Sequence, residues 1–496
     1  MSDLQVSKAK TLKHDTKDLI LRFFTSSSAH GVPRLFTSEE LILKLMWLIM
    51  FITSATYMIA SCITLVIDYY NYPTSVSILT YQEIPAKFPA VTICNQKLVN
   101  KTKNPNFTMI MTSKEYDVTD LNWAFNSSYS PYDQAEELIY TTQMILNEAS
   151  TNETEMSYDL KDMLFSCAFN KNPCSEEDFD YLFDPRRGNC YTFNKGYSNG
   201  TGIRTVSSSI GPKTGLVLEL FVGNPDIDTY YDFNDGVVIS IHNQSFLPFT
   251  EDLDIKAAAG AETDFIVSRN FIKKLPSPYG NCLEVANSSS TFSSFIFDYI
   301  VRNQSLKYSQ RYCFSLCQQR VTMNICNCSN YDLPLFEDIV YSCQTEDDVW
   351  CKDDIISNFD NYTSSLNECI DSCPYECSSI KYQVISHSTL YPNKYYAENI
   401  LSFYAKRRGI NISMESIYSA FAKINIYYDS MQYTRTIESA STALQQLVAN
   451  IGGYFGLCMG LSLLSLVEVF ELFVRFVLLL KNYNSKRNKI IMVQSS

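Results

Sequence analysis

Two long apolar runs, one near each end of the chain, limit what this sequence can fold into more than any other feature. Leu45 to Ile67 (LMWLIMFITSATYMIASCITLVI) has no charged residue, and Ile451 to Leu480 is as long but carries Glu468, Glu471 and Arg475. At 1.5 Å per residue, a helix of either length crosses a hydrocarbon core of about 30 Å. Nothing between them is apolar for long enough to span, and the first 40 residues hold no apolar signal-peptide segment. The first run is therefore expected to insert as its own signal and to stay in the membrane.

The flanks set the orientation. Lys481, Lys486, Arg487 and Lys489 follow the second run with no acid among them, while Lys8, Lys10, Lys13, Lys17, Arg22, Arg34 and Lys44 lead into the first. Basic flanks stay on the cytoplasmic side, so both termini are expected inside and everything between the spans outside. The expected organisation is a cytoplasmic segment 1–43, a first transmembrane helix 44–67, an extracellular domain 68–450, a second transmembrane helix 451–480 and a cytoplasmic tail 481–496. Residues 1–70 hold seven basic and six acidic side chains and residues 451–496 five and two, so of the net −13 the middle carries −17. An acidic outer body suits cations and argues against nucleic acid as a partner.

Fourteen of the 16 cysteines lie between the runs: Cys94, Cys167, Cys174, Cys190, Cys282, Cys313, Cys317, Cys326, Cys328, Cys343, Cys351, Cys369, Cys373 and Cys377. The other two, Cys62 and Cys458, lie within the runs. An even number outside and none in the tails is what seven disulfides in an oxidising compartment require. A zinc site at Cys326-x-Cys328 or Cys369-x3-Cys373 would have no neighbouring histidine, so neither metal nor organic cofactor is expected. Acceptors for N-glycosylation occur at Asn100, Asn106, Asn126, Asn152, Asn199, Asn243, Asn287, Asn303, Asn361 and Asn411, with Asn327 the weakest because Cys328 fills its middle position. None falls in a tail, which agrees with the topology.

Between the runs the patterning is mixed. Residues 74–90 alternate and carry Pro85 and Pro89; Gly215 to Val222 and Gly236 to Ile241 read as buried strands, as do 379–386 and 421–430 nearer the second run. Residues 131–166 and 290–320 read as helical, and the cysteine-dense part 313–377 as a pair of helices locked by bridges. One disulfide-rich α+β body results, with no internal repeat.

The second run carries the chemistry. Glycines at 452, 453, 456 and 460 form a small-residue stripe at helical spacing, which by itself means close helix packing. Glu468 and Glu471 lie i, i+3 on one face, with Ser462 six residues earlier on roughly the same face. Carboxylates inside a membrane are costly and mark ion paths or buried pairs. Repeated around an axis by several subunits, they would attract cations and reject anions. The competing reading is a Glu471–Arg475 pair at i, i+4. One helix cannot enclose a pore, so oligomerisation is required.

These residues resemble the degenerin / epithelial sodium channel / acid-sensing channel family over nearly the whole chain. The resemblance rests on Phe88-Pro-Ala-Val-Thr-Ile-Cys-Asn95 after the first span, Gly460-Leu461-Ser462 in the second, similar to the family's Gly-x-Ser filter, and His30-Gly31 before the first. It implies a homo- or heterotrimer with related subunits and a clenched-hand outer domain, with a helical thumb near 290–377. It further implies bridges Cys94–Cys190, Cys167–Cys174, Cys282–Cys377, Cys313–Cys373, Cys317–Cys369, Cys326–Cys351 and Cys328–Cys343, where spacing alone leaves the pairing open. Gly460, Leu461 and Ser462 would form the selectivity filter at a break in the helix, and His30 and Gly31 a re-entrant loop beneath it. Ala449 sits where enlargement locks channels open, and Tyr72 and Tyr279 would meet at the wrist.

The implied function is a sodium-selective, amiloride-sensitive cation channel of the plasma membrane that passes Na+ and is opened from outside. Thumb acids Glu346, Asp347, Asp348, Asp353 and Asp354 could trap protons across a subunit seam or form a solvated acidic face. Only His242 and His387 lie outside, and Pro73 stands where acid-sensing members carry a histidine. The preference is therefore for a peptide ligand over protons, with an acid-gated or constitutively open member as the alternative. A two-span scavenger-type receptor predicts a chemically silent second span, which Glu468 and Glu471 oppose. A trimeric ATP-gated channel would need a basic outer cluster. An enzyme is not expected, since no G-x-S-x-G, H-E-x-x-H or Walker loop is present. Membrane lipid is the remaining expected partner.

Overall fold

The computed structural model describes residues 14, 16–100, 157–184, 187–196, 207–226, 234–244, 246–248, 254–284, 292–303, 307–330, 333–336, 343 and 346–494. It divides into two units, one of Met1–Ser75 with Ser439–Ser496 and one of Val76–Glu438.

In the first unit the helix Leu41–Tyr70 is long and apolar enough to cross a membrane, and of its 30 residues only Met58 is buried. It starts three residues before, and ends three residues after, the expected 44–67. No glycine or proline interrupts it, and its end comes where Asn71 returns an N–H to the Ile67 carbonyl ahead of Tyr72, at φ 49°, and Pro73. The second apolar run is not one helix. It forms Leu444–Met459 and Leu463–Gln494, separated by Gly460, Leu461 and Ser462. The first helix packs against the second run. Ser54 Oγ donates to the Cys458 carbonyl at 2.7 Å, and the Tyr57 and Tyr454 rings meet edge-on at 6.1 Å. A Cβ at Gly452 or Gly453 would meet nothing within 4 Å, so these two glycines are not a packing face within the chain.

The second unit is built on two main sheets. Its strands are β1 (Thr74–Gln82), β2 (Ala86–Lys87), β3 (Ala90–Asn95), β4 (Leu164–Phe169), β5 (Asn172–Pro173), β6 (Phe179–Asp184), β7 (Gly188–Phe193) and β8 (Ser207–Ser208). They continue with β9 (Leu216–Phe221), β10 (Gly236–His242), β11 (Asp254–Ala258), β12 (Ala261–Lys273), β13 (Ser378–Leu390), β14 (Phe421–Tyr428) and β15 (Gln432–Ala440). The larger sheet runs β1-β15-β12-β14-β9-β4-β5, with β13 also on β12; the smaller runs β11-β10-β3-β7-β6. β12 organises the larger sheet: β13 pairs antiparallel along all 13 of its residues, while its other edge takes β14 in parallel at 262–267 and β15 at 270–273. Residues 164–166, the end of the helical stretch 131–166 expected from sequence, belong instead to β4, because pairing with β9 buries Leu164, Cys167 and Phe169 against the core.

The core fills the space between the sheets. The Phe88 to Asn95 motif belongs to it: β3 is buried on both faces, and the Phe88 ring stacks edge-on against Phe169 at 5.0 Å and Tyr428 at 6.1 Å. Burying a Phe or Ile side chain contributes roughly 1.5–3 kcal/mol, so this run holds the two sheets together. A second core lies among the helices Phe295–Asp298, Gln310–Cys326, Glu346–Ser357 and Thr363–Ser372, centred on Phe297, Tyr312, Leu316 and Phe359. Among the described residues of 313–377 there are three helices of eight residues or more, rather than a pair. Bridges Cys313–Cys373 and Cys317–Cys369 tie the first to the third, and Cys326–Cys351 ties it to the second. Cys328–Cys343 and Cys282–Cys377 close the same body, while Cys94–Cys190 and Cys167–Cys174 belong to the sheets.

Candidate functional site

The break in the second apolar run is the most constrained place in the first unit. A helix end leaves four carbonyls without intrahelical partners. Here Gly460, at φ 65°, turns the chain left-handed, its N–H returning to the Gly456 carbonyl and the Leu461 N–H to that of Phe455. Glycine adopts that conformation without penalty. Space makes the same demand, because a Cβ on Gly460 would fall 1.5 Å from Nδ1 of His30.

His30 belongs to the loop that follows the helix of residues 16–26 and precedes Val32–Thr37. Its N–H donates to the Met459 carbonyl at 2.8 Å, one of those left open by the break. Gly31 also lies at positive φ, 89°, and a Cβ there would touch the Trp47 ring at 3.6 Å. His30 thus lies against the break, where it satisfies the Met459 carbonyl, while Gly31 lies against Trp47 of the first helix.

Beyond the break, Ser465 is buried, with 5% of its surface exposed. Its hydroxyl accepts the Ser462 N–H at 3.1 Å and lies 2.7 Å from Ser28 Oγ. Glu468 accepts the Ser28 N–H on Oε2 at 3.1 Å. Glu471 is held by Arg475 at 2.5 Å, the i, i+4 pair that sequence had offered as the competing reading. Glu468 and Glu471 are therefore not equivalent: one holds a backbone amide and the other a guanidinium. Ala449 lies exposed on Leu444–Met459. Sequence reading did not single out Ser28 or Ser465, although Ser465 at i+3 from Ser462 fits a hydroxyl that caps the new helix start.

In the second unit, Tyr279 sits in a turn after β12, its N–H on the Pro276 carbonyl; Tyr72 belongs to the first unit. His387 is exposed on β13. His242 is buried, with Nε2 2.9 Å from Thr92 Oγ1 and Nδ1 3.0 Å from the Asn243 carbonyl, and burial pushes its imidazole down to about 4. A ring buried in that way stays neutral through the physiological range. Among the thumb acids, Asp354 accepts from Tyr362 Oη at 2.7 Å and Asn358 Nδ2 at 2.8 Å, which holds its carboxyl below the usual range. Asp347 is exposed on the same helix, Asp348 is half-buried, and Asp353 takes the buried Lys352 ammonium at 3.1 Å. The side chain of Glu346 lies outside the described residues. Among the described residues, no group of three or more His, Cys, Asp or Glu is placed to hold a metal.

Of the glycan acceptors, Asn361 and Asn411 are exposed and Asn243 half-buried. Asn100, the last described residue before 157, is buried, with 4% exposed. Asn106, Asn126, Asn152, Asn199 and Asn287, and the side chain of Asn303, lie outside the described residues.

One outer acid differs from the rest. Glu219 on β9 is 7% exposed and accepts hydrogen bonds from Tyr391 Oη and, at 3.3 Å, Tyr396 Oη. It faces Lys423 of β14 in register, and that ammonium is taken at 2.9 Å by Glu262 of β12, which also accepts from Asn425. Burial raises the Glu219 carboxyl above the 4.5 of a free glutamate, against the lowering pull of Tyr396 and Lys423. A raised native value means that the folded state binds the proton more tightly than the unfolded one, so its contribution is present in acid and lost as pH rises through the raised value. Unfolding temperature measured against pH above 4.5 should therefore fall more for the wild type than for Glu219→Gln, and parallel curves would show that Glu219 does not titrate there. The signal was visible as a lone acid in the apolar run Gly215 to Val222.

The model of the amiloride-sensitive sodium channel family matches residues 23–472 of the chain. Among individual proteins, the chain is 28% identical over 340 residues to the epithelial sodium channel subunit beta of Homo sapiens, covering 68% of the chain and 51% of that subunit. It is 25% identical over 484 residues to acid-sensing ion channel 1A of Danio rerio, covering 90% and 86%. With the beta subunit of Neoceratodus forsteri it shares 24% over 440 residues, covering 84% and 65%. The chain spans about half the length of the human subunit it matches.

Proposed function

Because the chain belongs to the amiloride-sensitive sodium channel family, we propose that it is a subunit of a sodium-selective cation channel of the plasma membrane, sensitive to amiloride and opened by an extracellular stimulus. The observation that carries this reading is the interruption at Gly460, Leu461 and Ser462, with its open Met459 carbonyl held by His30. Irregular backbone at membrane depth is tolerated only where it is enclosed by protein or lines a water-filled path, and backbone groups turned toward such a path are what selects ions. In this reading the helix Leu41–Tyr70 and the interrupted run Ile451–Leu480 each cross the membrane once, with both termini in the cytoplasm. The unit Val76–Glu438 lies outside, and three subunits, identical or related, surround the path. Glu468 and Glu471 sit on the cytoplasmic side of the break, where their charge favours Na+ over anions.

For the stimulus, a peptide is preferred over protons. His242 is buried and neutral, and Asp354 is held ionised by its hydrogen bonds, so neither gains a proton near neutral pH. Glu219, raised by burial, is the specific observation that favours the proton reading. Two-electrode recording from cells expressing the chain alone decides the matter: a sodium current blocked by amiloride, evoked by amidated peptides or by acid, supports the channel and names its stimulus. Silence despite surface delivery, alone and with related subunits, overturns it. In the same cells Ala449→Phe is expected to raise resting current several-fold by holding the path open, and an unaltered baseline would remove Ala449 from the gate. Tyr72 and Tyr279 are proposed to pass outer-unit movement to the first span. The ten acceptors are proposed to carry glycans outside the cell.

A further inference from the structure

The Ser465 side chain touches both Ser462 and the N-terminal loop. Its hydroxyl accepts the Ser462 N–H at 3.1 Å and meets Ser28 Oγ at 2.7 Å, while the Ser465 N–H returns to the Ser462 carbonyl at 2.9 Å. It does this while 95% buried, and a serine hydroxyl there needs partners. One turn further along, Glu468 Oε2 accepts the Ser28 N–H at 3.1 Å. Residues 465 and 468 are i, i+3, so both groups face the loop together. The loop is thus held at three points, by Met459 before the break and by Ser465 and Glu468 after it.

We propose that Ser465 and Glu468 form a clasp on Ser28, and that Ser465 is a positioning residue for ion selection, fixing the backbone of Ser462 by tying it to the N-terminal loop. This rests on the channel reading above. Without the Ser465 hydroxyl, the Ser462 N–H loses its acceptor and the loop one of its two fastenings beyond the break. The Glu468 carboxylate is then the second fastening, one oxygen taking the Ser28 N–H while its negative charge remains beside the path.

The test uses the full chain and two readouts. Ser465→Ala is expected to lower the sodium-to-potassium permeability ratio about fivefold, the equilibrium worth of roughly one hydrogen bond. Ser465→Thr, which keeps the hydroxyl, should retain it. Reversal potential reads each open path and does not depend on how many channels reach the surface, so a purely structural loss would leave it unchanged. Separately, the pair Ser28→Cys with Ser465→Cys should form a disulfide under mild oxidation, detected by mass spectrometry as a peptide joining positions 28 and 465. Neither single variant should give it. No cross-link overturns the clasp; a cross-link with an unchanged permeability ratio in Ser465→Ala overturns the positioning role. A wild type that passes no sodium current under any stimulus overturns the channel reading itself, whatever the cross-link shows.

Discussion

Gly460→Ala is expected to cut the sodium current at least tenfold and to erase the preference for sodium in what remains. Two costs add. A residue with a Cβ in the left-handed region loses about 1–2 kcal/mol, and every 1.4 kcal/mol is about a factor of ten in an equilibrium. The second cost is steric, since the new methyl would lie 1.5 Å from His30 Nδ1. His30 must then leave, and with it the N–H that holds the Met459 carbonyl. Reversal potential under sodium and potassium, with surface protein measured in parallel, decides the outcome. A normal current with a normal reversal potential would mean that the break is neither the narrow part of the path nor braced by His30.

Replacing both Cys94 and Cys190 by Ala should do the largest damage to the outer unit. They are a directly opposed pair on β3 and β7, both fully buried, and their bridge closes a sequence separation of 96. Chain entropy assigns a loop of that length about 4.7 kcal/mol, against about 2.4 kcal/mol for the separation of 7 closed by Cys167–Cys174. Domains are stable by only about 5–15 kcal/mol. Surface labelling should therefore show the Cys94/Cys190 variant largely retained inside the cell, with the Cys167/Cys174 variant delivered in clearly greater amount. Equal delivery of the two would mean that the long bridge adds little beyond the core packed around it.

Much of this protein is legible in a linear reading because the physics involved is local. Leu45 to Ile67 needs only its own composition to become a helix that crosses a membrane, since every backbone group is satisfied within it. The short apolar runs 215–222 and 236–241 read as buried strands and form Leu216–Phe221 and Gly236–His242. Where two elements compete, a local reading fails. Residues 164–166 close a stretch that reads as helical and end in a strand because β9 offers a partner and a core to fill. Glu471 looks like its neighbour Glu468 in sequence, but Arg475 reaches one and Ser28 the other.

The sequence by itself determined the family, a first helix long and apolar enough to cross a membrane and a body rich in disulfides. Composition, a charge-free run, fourteen cysteines outside the runs and three short motifs are all properties of the chain read in order. Only the tertiary structure decided which groups meet at the break and in the outer core. Ser28 and Ser465 are 437 residues apart, and Glu219 finds Tyr391 at a separation of 172. No periodicity reaches so far: such contacts exist only after loop-closure entropy has been met by the packing of everything between them.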